Sequence, residues 1–158
     1  MRLAAAALIG FASFALAGAL AVTILPAKAS GGISCDAGGT GTTVTFSGGV
    51  TRGLGSPLFS FSGEATVRDA SVAPDLQRTE FELRHVAQYW LSGNELKLVL
   101  YREREGDKLH GEVTVTVETN AVDEGSFAGT YVLDVRDVPE TGDTKEFRAE
   151  GAIECFAE

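Results

Sequence analysis

The chain has 158 residues, with 13 basic and 22 acidic side chains, 19 glycines, two cysteines and two histidines. A formal charge of −9 argues against nucleic-acid binding, which needs clustered Lys and Arg to neutralise phosphates. Two cysteines cannot make a zinc site unaided and two histidines leave little for metal or triad chemistry, so no metal or cofactor is expected, and 44% hydrophobic residues exclude a disordered chain.

The first 29 residues read as a targeting segment. Arg2 supplies a small positive region, residues 3–25 carry no charge and are mostly Ala, Leu, Phe and Ile, Pro26 breaks the run, and Ala27-Lys28-Ala29 has the small-x-small form of a cleavage site. This predicts a secretory signal over 1–29, leaving one domain over 30–158, which is 158 − 29 = 129 residues. The apolar run of 25 − 3 + 1 = 23 residues is also long enough to span a bilayer, so an uncleaved anchor is the alternative. Cleavage removes Arg2 and Lys28 and no acid, giving 11 − 22 = −11 and no remaining membrane span. The expected location is periplasmic or secreted, in a bacterium. There Cys35 and Cys155, near the two ends of the mature chain, are expected to form a disulfide.

Beyond the signal the sequence alternates apolar and polar residues with a period of two, and no segment holds helical spacing over two turns. The expected strands are a short one near 33–35, then roughly 42–46, 58–69, 77–91, 95–104, 108–119, 127–136 and 145–156. Seven or eight such strands form an antiparallel up-and-down meander. With Cys35–Cys155 joining the N- and C-terminal strands, a small closed β-barrel follows, since closure removes exposed edges. A two-sheet β-sandwich with the same disulfide is the alternative.

Two turns set expected registers. Gly93-Asn94 suits a two-residue hairpin, which places Leu91 opposite Leu96, Tyr89 opposite Leu98 and Ala87 opposite Leu100 inside. Outside it places Trp90 against Lys97, Val86 against Tyr101 and Arg84 against Glu103. A tight turn over Glu105-Gly106-Asp107-Lys108 would set Leu100 against Val113, Leu98 against Val115, Leu96 against Val117 and Glu103 against His110.

No catalytic or nucleotide motif is present, and neither acidic loop, Asp123-Glu124 or the stretch from Asp134 to Asp143 with Asp137 and Glu140, has calcium-loop spacing. Those loops are expected to be solvated. Two surfaces stand out instead. On the inward face, His85 would lie opposite Arg102 and Arg102 opposite Gly111, with Tyr89 on the same face. A cation, an imidazole and a local gap at the barrel mouth would receive an anionic group of a small ligand. On the outward face, Val86, Trp90, Val99 and Tyr101, with Lys97 beside Trp90, would form an aromatic patch for a protein or glycan contact, unless the segment from Val50 to Leu58 covers it.

An early Cys35-Asp36 and a late Cys155 give a layout similar to that of small exported lysozyme-inhibitor barrels, but the serine-and-lysine inhibitory loop of those proteins has no counterpart here. The several tryptophans of an avidin-like biotin site are also missing, since this chain has one. The functional expectation is an exported, non-enzymatic binding protein for a small molecule or a protein, with a cationic partner favoured by the charge. The alternatives are an inhibitor of a basic hydrolase such as lysozyme and an accessory subunit of an envelope complex.

Overall fold

A computed structural model describes residues 30–51, 56–106 and 109–158; the expected signal segment, residues 52–55 and the Asp107-Lys108 half of the expected turn lie outside it. The described residues form nine strands: β1 (Ser30–Gly38), β2 (Thr42–Thr51), β3 (Leu58–Val67), β4 (Arg78–Glu82), β5 (Val86–Ser92), β6 (Glu95–Glu103), β7 (Gly111–Asp123), β8 (Ser126–Asp137) and β9 (Lys145–Ala157). All belong to one antiparallel sheet with the order β4-β3-β2-β1-β9-β8-β7-β6-β5. This is a nearly closed barrel and not a two-sheet sandwich.

The Cys35–Cys155 disulfide lies where the N- and C-terminal strands meet. The two cysteines are directly opposed in the β1–β9 ladder, and both are buried.

The strand expected over 77–91 is divided. Its first part, β4, ladders onto β3, whereas its second part, β5, ladders onto β6 at the other end of the sheet. A short 3-10 turn, Leu83–His85, joins them. One run therefore closes the barrel by changing its partner strand midway. The turn carries Leu83 off the inward face on which alternation had set it, and it is 46% exposed. The expected eight strands become nine by this single interruption.

The interior is filled. Leu96, Leu98, Leu100, Val113, Val115, Val117, Leu133, Ile153, Val44 and Phe81 are each less than 2% exposed or nearly so, and Phe46 and Phe61 pack with ring centroids 5.8 Å apart. Tyr131 crosses this core, its hydroxyl 2.6 Å from the Thr42 Oγ1. Two glycines on inward-facing positions permit the close packing. A Cβ at Gly129 would stand 2.0 Å from the Glu118 carbonyl oxygen, and one at Gly151 would stand 2.9 Å from the Tyr131 ring.

Candidate binding surfaces

The expected mouth row of His85, Arg102 and Gly111 does not assemble. The β6–β7 ladder pairs Leu100 with Val115, Leu98 with Val117 and Arg102 with Val113, two residues away from the expected register. The strands are joined by a wider loop than a tight turn at 105–108: the ladder closes with the Arg104 N–H donating to the Gly111 carbonyl at 2.6 Å. A shift of two keeps every side chain on its expected face but changes its neighbour. Arg104, not Arg102, lies over Gly111, and a Cβ there would stand 2.8 Å from the guanidinium carbon. The gap that Gly111 was expected to leave is filled by this chain's own arginine.

Arg102 instead donates from Nη1 to the Glu80 carbonyl, and its Nη2 lies 3.5 Å from Glu105. It thereby bridges β4 and β6 across an open cleft of about 400 Å³. His85 sits in the 3-10 turn, edge-on to Phe81 with ring centroids 6.2 Å apart. Its Nδ1 accepts the Glu82 backbone N–H at 2.9 Å. Burial, with the nearby Arg102 and Arg84 charges, holds its pKa below the ordinary value. The neutral ring then carries its proton on Nε2, so the Arg84 Nε at 3.3 Å is a contact and not a hydrogen bond. A neutral imidazole spent on the backbone and an arginine spent on a carbonyl leave little for an anionic ligand.

The charged group of greatest consequence at this end was not singled out from the sequence. Arg104 has a side chain only 8% exposed; its Nη2 lies 2.8 Å from the Asp137 carboxylate, which is 11% exposed, and its Nε 2.8 Å from Asp75. Its Nη1 donates to the Leu109 carbonyl at 2.8 Å. Asp137 was expected in a solvated loop, and it is instead the last inward-facing residue of β8, after Tyr131, Leu133 and Val135. The sequence signal was there: Arg104 and Asp137 both fall on the inward parity of their strands. Asp134, on the other face, is held by Arg148 Nη1 at 2.8 and 2.9 Å.

Tyr89 faces inward opposite Leu98 as expected. Its hydroxyl is buried and has no hydrogen-bond partner among the described residues, and burial pushes its pKa up to about 12. An unsatisfied buried hydroxyl costs about 1–3 kcal/mol. Tyr89→Phe is therefore expected to raise stability by about 1 kcal/mol in urea unfolding. A loss of stability of that size would mean that the hydroxyl has a polar partner.

The outer face of β5, β6 and β7 keeps most of the expected patch. Trp90 pairs with Lys97 as the hairpin required, and it is 55% exposed, so the described ends of the segment from Val50 to Leu58 do not cover it; residues 52–55 lie outside the described residues. Val86 leaves the patch. A bulge at Ala87 shifts its partner to Leu100 and turns it against the core. Tyr101 is drawn to the far end of the face, where its hydroxyl lies 2.6 Å from Glu103 and 3.0 Å from Glu112. The bond to Glu103 is the main reason that its pKa is raised. His110 joins this group through Glu112, 3.1 Å away, and not through Glu103.

What remains around Trp90 is a shallow cradle of about 390 Å³. Two cross-strand rows build it: Trp90, Lys97 and Glu118 in one, Gln88, Val99 and Thr116 in the next. Three adjacent strands make it about 10 Å wide. Lys97 reaches along its own strand to Glu95, 3.0 Å away, and this bond raises its pKa. The ammonium opposite Trp90 is thus engaged by a carboxylate.

The chain matches no protein-family model, no curated protein and no solved structure.

Proposed function

We propose that this is an exported, non-enzymatic binding protein that meets its partner through the outer face of β5, β6 and β7 around Trp90. The observation that carries the reading is the 55% exposure of the only tryptophan, at the wall of a shallow concave cradle. Exposed indoles at concave sites are favoured anchors for recognition because they present a large, rigid amphipathic surface. The filled barrel interior, with Arg102 engaged by the Glu80 carbonyl and Arg104 by Asp137 and Asp75, argues against the mouth. Export is supported by the signal-like pattern of residues 1–29 and by a buried disulfide, which persists in oxidising compartments. Among the described residues no helix is long and apolar enough to cross a membrane.

Native mass spectrometry of the protein purified from its own compartment tests this. A retained partner is expected on the parent protein, retained on Arg102→Ala and lost or at least about tenfold depleted on Trp90→Ala. An adduct lost with Arg102→Ala and kept with Trp90→Ala would move the site to the mouth.

Inhibition of a basic hydrolase is the second reading. It is favoured by like charges set directly opposite on the outer face, Asp36 against Glu154, on a mature chain of charge 11 − 22 = −11. A protein that keeps such a pair bears a repulsive cost, and the field would speed encounter with a cationic protein. Capture of that kind would weaken steeply with salt.

A further inference from the structure

We infer that the Trp90 cradle is a site for a neutral saccharide, an inference that rests on the reading of this face as the binding surface. The surroundings of Trp90 separate a sugar from a protein. The core of a protein interface is depleted of charged side chains. Around this indole stand Gln88, Lys97, Thr116 and Glu118, with Val99 as the one aliphatic side chain of the two rows. A pyranose offers the complementary chemistry: a face of C–H bonds for the indole and a rim of hydroxyls, each both donor and acceptor. Glu118 accepts from such hydroxyls, Lys97 donates to them, and Gln88 and Thr116 do both.

The volume of about 390 Å³ lies at the lower end of small-ligand sites, enough for a short stretch of a chain that continues out at either side. Charge selects within the class. Lys97 is bonded to Glu95 and is paired across the strands with Glu118, so one cation faces two carboxylates. The cradle has no surplus positive charge for a uronate or a sulfate, and the whole mature chain is acidic. A neutral sugar avoids that repulsion.

The test is calorimetric titration of the protein, isolated from its own compartment, with cellohexaose, chitohexaose and, as an anionic comparator, hexagalacturonate. At least one neutral oligosaccharide is expected to bind saturably and to shift the emission of the single tryptophan to shorter wavelength. The anionic one is expected to bind at least about tenfold more weakly. Trp90→Ala is expected to weaken binding at least about tenfold, and Glu118→Gln about threefold or more, with thermal unfolding unchanged in both because the side chains are exposed. Absence of binding by both neutral sugars at millimolar concentration, or equal binding of hexagalacturonate, overturns the inference. If the sugars fail while a retained protein adduct still depends on Trp90, the saccharide falls and the surface stands. If sugar binding is untouched by Trp90→Ala, both fall.

Discussion

Removing the disulfide with Cys35→Ala and Cys155→Ala together is expected to destabilise the protein by about 4 kcal/mol. The cysteines are 120 residues apart in sequence, so the bond closes nearly the whole of the barrel. In the chain-entropy account a loop of this size contributes about 4–5 kcal/mol, and losses on removing native disulfides run about 2–5 kcal/mol. The position adds to the expectation. The β1–β9 ladder has four paired positions, against nine between β1 and β2, so the strands that join the two ends of the chain have the shorter pairing. Urea unfolding should show a lower midpoint and, because the denatured chain expands once freed, a steeper dependence on denaturant. A change below about 1 kcal/mol would mean that the ladder alone holds the seam.

Arg104→Ala is the second large effect, with an expected loss of about 3–5 kcal/mol. The guanidinium lies between Asp137 and Asp75 at 2.8 Å from each, and its removal leaves Asp137 buried without its cation. It also empties the space over Gly111. The burial of the pair makes this unlike the exposed Arg148–Asp134 pair, for which loss of either partner is expected to cost less than about 1 kcal/mol. Since desolvation opposes a buried ion pair, replacing both partners with apolar residues, Arg104→Met with Asp137→Leu, should recover most of the loss. A double-mutant cycle by chemical denaturation measures this. Additive single losses, or a single loss near zero, would mean that the pair is well solvated.

Much of the barrel was legible because a period of two assigns every residue to a face without knowledge of its partner. The tight Gly93-Asn94 turn also set the partners: Leu91–Leu96, Tyr89–Leu98 and Trp90–Lys97 all pair as read. The β6–β7 connection had no such constraint, and its extra length moved the pairing by two while parity was preserved. That shift parted Arg102 from Gly111 and put Arg104 in the space, while the 3-10 turn took His85 out of the β5–β6 ladder. The division of the run over 77–91 was not visible for a related reason: a strand that changes its hydrogen-bonding partner can keep its apolar alternation. The bulge at Ala87, which withdrew Val86 from the outer patch, leaves no mark in a hydrophobic pattern either. Asp137 departs from the expected solvated loop because its parity with Leu133 and Val135 points inward, although acidic residues surround it in sequence.

Recognition on the outside of the barrel wall, and not within it, can be read from amide chemical-shift mapping of the labelled protein with the bound oligosaccharide, or with the partner retained on purification. Shifts are expected to cluster on Gln88, Trp90, Lys97, Val99, Thr116 and Glu118. Shifts centred on Phe46, Phe61 and Leu133 in the interior, or on Glu80, Arg102 and Arg104 at the mouth, would contradict it.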